Sequence, residues 1–226
     1  MDNAVVESDH GVTLVGGAPV SRAALALALA HAPRLVAADG GADRALRLGH
    51  VPEAVIGDLD SLSESAKLRL SGRLHRIEEQ ETTDFDKALR AIRAPFVLGL
   101  GFAGARLDHG LAVLNALARH PDRRCLILTG QDVAFLAPER MEMSLPVGSR
   151  LSLFPLGPVT GTSEGLRWPI KGLRFAPGGV IGTSNQVAGA RVRLAFDAPR
   201  MLVILPRARL RRVLDAFSLP SPARGG

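Results

Sequence analysis

Short β-type runs alternate with helical runs through roughly the first 130 residues, and this alternation limits the fold more than any other feature. The strand candidates are Val12–Val15, Leu35–Ala38, Ala54–Ile56, Leu74–Ile77, Phe96–Leu98 and Leu126–Leu128. Between them lie Ser21–His31, Ala42–Leu48, Ser63–Leu70, Asp84–Ile92 and Leu111–Arg119, rich in the helix formers Ala, Leu and Arg. Such an order predicts a mostly parallel sheet covered on both faces, with ligands outside the carboxyl ends of its strands. After about residue 131 the texture changes. Arg150–Phe154, Leu166–Ile170, Ala190–Phe196 and Met201–Leu205 read as strands separated by Gly, Pro, Ser and Thr, and Arg191-Val192-Arg193-Leu194 alternates as a half-buried strand does. The expectation is an α/β domain over 1–130, then a small all-β sandwich over 131–226 ending in a basic helix.

Composition adds exclusions. Hydrophobic residues make up 46% and charged residues 22%, too apolar for a disordered chain. The longest apolar stretch, Ala23–Ala30, is too short to span a bilayer, and Met1-Asp2-Asn3 does not open a secretory signal, so no membrane role and a cytoplasmic location are expected. The single Cys125, followed by Leu126-Ile127-Leu128, rules out a disulfide framework and reads as a core thiol. The net charge of +6 is uneven: residues 1–120 carry 13 basic and 15 acidic side chains, so the basic excess lies in the second half. Arg207, Arg209, Arg211 and Arg212 contribute to it. With Leu210, Val213, Leu214 and Phe217 as an apolar stripe they read as a solvated helix face. No Tyr and one Trp leave no aromatic interleaving for stacking bases, so no nucleic-acid partner is expected.

Four acidic clusters fall where the sheet places a ligand: Ala38-Asp39-Gly40-Gly41-Ala42-Asp43, Ile56-Gly57-Asp58-Leu59-Asp60-Ser61, Thr82-Thr83-Asp84-Phe85-Asp86-Lys87, and Gly101-Phe102-Ala103-Gly104-Ala105-Arg106-Leu107-Asp108-His109. Each also has a structural reading. Asp39 suits a turn, Thr83 or Asp84 a helix cap, and Asp108 an N-cap for a helix starting near Leu111; His109 reads as a helix-start residue bonded to backbone. Asp58 and Asp60 are different. In extended chain their carboxylates share one face, and such crowding costs stability unless a cation neutralises it. Mg²⁺, which binds one or two carboxylates together with substrate phosphates, is the usual cation for such oxygens. The chain has no phosphate-binding loop of the Gly-x-x-x-x-Gly-Lys-Ser/Thr type and no Gly-x-Ser-x-Gly elbow. Gly99-Leu100-Gly101-Phe102-Ala103-Gly104 only nearly matches a dinucleotide fingerprint.

Asp39-Gly40-Gly41-Ala42, Gly57-Asp58-Leu59-Asp60-Ser61, Thr83-Asp84 with Lys87-Ala88-Leu89, and Arg106-Leu107-Asp108-His109 resemble, in order and spacing, the thiamine pyrophosphokinase family. Gly165-Leu166-Arg167-Trp168-Pro169 and Gly182-Thr183-Ser184-Asn185 resemble two further segments of that family, so the likeness runs from residue 12 to about 205. It implies an ATP-binding α/β domain, a thiamine-binding β-sandwich, and a homodimer whose active sites are shared between protomers. It also implies transfer of the diphosphoryl group of ATP to the thiamine hydroxyl, releasing AMP. By position, Asp58, Asp60 and Asp84 would hold Mg²⁺, while Asp39, Gly40, Gly41, Thr83, Arg106 and Asp108 would line the nucleotide site. Ser184 and Asn185 would contact thiamine. Trp168 would either stack on that cation or fill the sandwich core. Asp60, Asp84, Asp108 and Arg106 form the expected catalytic set, Arg106 by forking onto phosphate and Asp84 or Asp108 as general base. Three departures stand out: Glu81 where the family carries Asp, Ala105 where it carries Gly, and Met201-Leu202 where some members carry Trp. The rival readings are a diphosphokinase of another hydroxymethyl heterocycle, such as a pterin, a non-catalytic nucleotide-binding regulator, and an RNA-binding protein. All three carboxylates whose loss would mark a regulator are present.

Overall fold

The computed structural model describes residues 4–104 and 106–218. The chain divides into two units, one ending at Gly130 and the other beginning at Gln131. In the first unit the elements are β1 (Val6–Glu7), β2 (Val12–Val15), α1 (Arg22–His31), β3 (Arg34–Ala38), α2 (Gly41–Arg47), β4 (Ala54–Gly57), α3 (Glu64–Arg69), β5 (Leu74–Arg76), α4 (Asp84–Ala91), β6 (Ile92–Arg93), β7 (Val97–Leu100), α5 (Leu107–Arg119) and β8 (Cys125–Leu128). Six strands lie in the order β8-β7-β2-β3-β4-β5, every pair parallel. All four residues of β2, β4, β7 and β8 are buried, as strands covered on both faces require. Leu25 of α1 and Ala45 of α2 pack with Val15 and Leu35, and Ala66 of α3 packs with Ala37 and Val55. From β2 the chain steps outward through β3, β4 and β5, then returns to β7 on the other side of β2. That reversal opens a crevice at the carboxyl ends of the strands. The short parallel pair of β1 and β6 was not anticipated, because two-residue strands carry no periodicity.

Two rules set the starts of the first four helices. Ser21, Ser63 and Thr83 each cap a helix by accepting a backbone N–H through the hydroxyl. Gly41 opens α2 where a Cβ would lie 2.0 Å from the Val15 carbonyl oxygen, so only glycine lets this helix start against β2.

The second unit contains β9 (Asp132–Leu136), β10 (Arg140–Ser144), β11 (Arg150–Pro155), β12 (Val159–Glu164), β13 (Arg174–Phe175), β14 (Gly182–Gln186), β15 (Arg191–Phe196), β16 (Met201–Pro206) and α6 (Leu210–Ser218). Its strands form two antiparallel sheets, β14-β11-β16-β9 and β10-β15-β12-β13. In β15, Val192, Leu194 and Phe196 are buried, and Arg193 on the other face bonds Glu142 and Glu164 of both neighbouring strands. Leu210, Val213 and Leu214 are buried along α6 while Arg211 and Arg212 are exposed, as the solvated-face reading expects. The strand expected at Leu166–Ile170 is absent. Only Leu166 forms an isolated bridge, to Val187, because Gly165 turns the chain with φ 76° and Pro169 has no N–H for a ladder. Cys125 is a buried free thiol in β8, and burial pushes its pKa up. No helix among the described residues is long and apolar enough to cross a membrane.

Candidate active site

A cavity of about 460 Å³ opens where β2, β3, β4 and β7 end, and Gly16, Asp39, Gly40, Asp58, Thr83, Asp84, Lys87, Phe102 and Arg106 are among its walls. The parallel sheet delivers these groups together because each follows the carboxyl end of its strand or opens the helix after it. Phe102 packs edge-on against Phe85 of α4, their ring centroids 4.8 Å apart, giving the cavity an apolar side.

Asp39, Asp58 and Asp84 form its acidic floor, while Asp60 is exposed and is not among its walls. Asp39, with φ 42°, follows β3 and is 6% exposed. Its Oδ1 is buried without a hydrogen-bond partner. Burial raises its pKa, only partly offset by the Gly40 N–H, and Asp84 and Asp58 raise it further. Oxygens of Asp39, Asp58 and Asp60 lie within 4.8 Å of one another. The Asp58–Asp60 segment is not extended, since Leu59 takes φ 66°, but the turn still leaves both carboxylates in the cluster. Asp60 N–H reaches Asp58 Oδ1 at 3.4 Å, and Asp60 Oδ1 accepts from Ser61 Oγ at 2.9 Å.

Asp84 lies in the first turn of α4. Its Oδ1 accepts from Asp58 N at 3.3 Å and from Lys87 Nζ at 3.2 Å. It braces the cluster through those bonds, while Asp39 supplies the third closely spaced oxygen. Lys87 Nζ also lies 3.5 Å from Asp58 Oδ2. Burial works to raise the Asp58 pKa, yet the Asp60 N–H and the Lys87 ammonium outweigh it and hold the carboxyl below its ordinary value. Burial works to lower the Lys87 pKa, yet Asp84 and Asp58 together raise it. The motif contained Lys87, but no role followed from it; the available signal was its place three residues after Asp84 on one helix face.

Arg106 and Asp108 form a two-pronged pair, Nε to Oδ1 at 3.1 Å and Nη2 to Oδ2 at 2.5 Å. The hydrogen bond from Arg106 is the main cause holding the Asp108 pKa at about 2. So low a pKa makes Asp108 a poor proton acceptor while that pair is closed. Helix α5 begins at Leu107 rather than near Leu111, so Asp108 sits in its first turn and is not its cap. Arg106 holds the cap position with an extended backbone and no side-chain cap bond. His109 borders the cavity. Of the expected nucleotide-site residues, Asp39, Gly40, Thr83 and Arg106 line the cavity; Asp108 is not among its walls, and Gly41 serves the packing of α2 on β2. Asp43 of the first cluster is structural: it accepts from Ser63 N at 2.9 Å and Ser63 Oγ at 2.5 Å.

In the second unit Ser184 has φ 60°, an exposed side chain, and an N–H donated to Ser152 Oγ at 3.0 Å. Asn185 is 6% exposed, whereas Trp168 is 53% exposed and therefore no core aromatic.

A parallel α/β unit with carboxylates gathered at its strand ends, followed by an antiparallel β unit, defines a class of two-unit proteins with an acidic ligand site, and comparison narrows the class. Residues 25–128 match the thiamin pyrophosphokinase catalytic domain and residues 140–201 match the thiamin pyrophosphokinase vitamin B1 binding domain. The chain belongs to the thiamin pyrophosphokinase family. It is 28% identical to thiamine pyrophosphokinase 1 of Arabidopsis thaliana and 29% identical to thiamine pyrophosphokinase 2 of Oryza sativa subsp. japonica, each match covering 77% of this chain and 78% of the relative. Among solved structures, thiamin pyrophosphokinase from Candida albicans shares the fold with a TM-score of 0.74 at 16% identity, covering 87% of this chain and 89% of its own. A protein from Lactobacillus plantarum gives 0.71 at 26% identity, covering 88% and 99%. The match to a vitamin B1 binding domain disfavours the pterin alternative.

Proposed function

We propose that this chain transfers the diphosphoryl group of ATP to the hydroxyl of thiamine, giving thiamine diphosphate and AMP. The observation that carries the reading is a buried, unpartnered Asp39 oxygen in the cavity wall, on a carboxylate within 4.8 Å of oxygens of Asp58 and Asp60, in a chain of this family. Three hard oxygen donors so close, one without a partner, suit Mg²⁺. Asp58 and Asp60 would hold it with Asp39, and Asp84 would brace Asp58. Bound there, the ion would neutralise phosphate charge and the charge developing on the leaving AMP.

The rest falls to the chain's own residues. Lys87 keeps a positive charge beneath the acids, limiting their mutual repulsion before substrate arrives. Arg106 is placed to exchange Asp108 for phosphate oxygens, a like-for-like swap of forked bonds that frees the Asp108 carboxylate. Released from that pair, Asp108 regains basicity, so it and Asp84 both stand as candidates to take the thiamine hydroxyl proton. Gly40 leaves the end of β3 open to phosphate, while Gly16 lets the chain pack against Phe102, whose ring would lie 2.5 Å from a Cβ there. Trp168 would receive the thiamine cation on its exposed ring and Ser184 would supply a hydroxyl. We further propose a cytoplasmic homodimer whose sites draw on both protomers. Incubation with Mg-ATP and thiamine, followed by chromatography, tests the activity: AMP and thiamine diphosphate should appear in equal amounts. ADP with thiamine monophosphate would instead mean attack at the γ-phosphorus.

A further inference from the structure

The segment Gly165–Pro169 is tied to the end of β14 by four bonds. Arg167 N donates to Gln186 O at 2.8 Å, and Arg167 Nη1 donates to Gln186 Oε1 at 3.2 Å. Trp168 N donates to Asn185 Oδ1 at 3.3 Å, and Asn185 Nδ2 donates to Trp168 O at 2.7 Å. Asn185 Oδ1 also accepts from Gln186 N at 2.8 Å. An amide oxygen has two lone pairs, so the Asn185 acceptor capacity is filled and one of its two N–H groups is used. The segment has little freedom upstream: at Gly165, with φ 76°, a Cβ would lie 2.0 Å from the Arg191 carbonyl oxygen. The Arg167 guanidinium carbon sits 4.9 Å from the centroid of the Trp168 ring, which remains 53% exposed with Arg167 in place.

We infer that Asn185 is a positioning residue: its amide grips both backbone groups of Trp168 and holds the indole out as a preformed platform for a flat aromatic cation. Rigid presentation saves the ordering cost that a mobile tryptophan would charge against ligand binding. A guanidinium on the ring shows that this indole accepts a cation, and the exposed part of the ring receives the ligand. The ligand identity rests on the proposed function, since the cation there is thiamine; the grip of Asn185 on Trp168 does not.

Trp168 is the chain's single tryptophan, so its emission reports this segment alone. Asn185→Ala removes the grip, and the near-isosteric Asn185→Asp keeps the acceptor oxygens without the donation to Trp168 O. Both are compared with wild type by acrylamide quenching without ligand, by thiamine titration and by steady-state kinetics, with circular dichroism confirming the fold. Acrylamide quenching should rise about twofold in Asn185→Ala, and the thiamine KM about tenfold, as two lost hydrogen bonds to a buried amide imply. The kcat at saturating thiamine should stay within about twofold, because interactions equal in ground and transition states affect KM alone. Asn185→Asp should fall between and remain informative if the alanine variant does not fold. Unchanged quenching in the folded variants overturns the inference. So does a kcat loss of about a hundredfold at saturating thiamine with KM unchanged, which would make Asn185 a contact to the reacting substrate. A wild-type chain that makes no thiamine diphosphate refutes the proposed function instead, and the quenching result still decides the role of Asn185.

Discussion

A lysine side chain only 2% exposed needs counter-charges, and Lys87 has two, Asp58 and Asp84, on the floor of the cavity. Replacing it by methionine leaves those carboxylates crowded with Asp39 and without their cation, a loss of about 1–3 kcal/mol, because Asp58 and Asp84 keep part of their contact with water. The pH dependence follows from the directions of the shifts. Asp58 is depressed in the folded chain, so its contribution is present above the ordinary carboxylate value and is lost as pH falls through the folded one. Lys87 is raised, so its contribution holds below the ordinary lysine value and is lost as pH rises through the folded one. The thermal-midpoint deficit of Lys87→Met should therefore be widest across about pH 5–10 and shrink below about pH 4, as melts across that range would record. A deficit independent of pH would mean that Lys87 acts by packing. For Asp60→Asn the expectation reverses: an exposed carboxylate in a repelling cluster costs little stability when neutralised. Single-turnover rate should fall by about a hundredfold or more, equivalent to about 3 kcal/mol of lost charge stabilisation, while the melting midpoint holds or rises. Near-wild-type turnover at saturating Mg²⁺ would remove Asp60 from the metal set.

At the scale of elements, the pairing of α4 with α5 depends on Asp86, whose side chain is 3% exposed. It accepts from Arg90 Nε at 3.0 Å, from Arg119 Nη1 at 2.8 Å, and lies 3.0 Å from His120 Nε2. Arg90 also pairs with Glu79 and reaches Thr82 Oγ1 at 3.3 Å, so the loop leading into α4 hangs on the same network. Asp86→Ala should cost about 3–5 kcal/mol in urea denaturation, because the Arg90 and Arg119 guanidinium groups lose a buried carboxylate and His120 Nε2 loses its partner. Asp86→Asn, which keeps one acceptor oxygen, should cost less. Equal costs for the two variants would mean that volume rather than charge is what matters there. Because Thr83 and Asp84 stand at the start of the same helix, Asp86→Ala should also raise the KM for ATP; an unchanged KM would separate the network from the site.

For the whole molecule, the proposed homodimer with shared sites makes a quantitative prediction. Asp60→Asn and Trp168→Ala chains, each nearly inactive at thiamine well below its KM, are unfolded and refolded together. About half the dimers are then mixed, and each mixed dimer carries one site with both lesions and one with neither, so activity should recover to about a quarter of wild type. No recovery, with mixed dimers verified by mass, would confine each site to one chain. Much of what these experiments probe was legible in the chain. The strand–helix alternation, the Thr83 cap, the apolar stripe of α6 and the ordered acidic motifs are properties of neighbours in sequence, governed by local backbone geometry and by the 3.6- and 2-residue periods. What the chain could not disclose are contacts between residues far apart along it. The tertiary structure brings Asp39 against Asp58 and Asp60, turns Asp84 toward Lys87 and the Asp58 backbone, and starts α5 at Leu107. It also breaks the strand expected at Leu166–Ile170 and spends the Asn185 amide on the Trp168 backbone. A motif specifies that a carboxylate or an amide is present near a strand end. Which partner it takes depends on burial and on which polar groups need satisfying, and only the packed fold sets those.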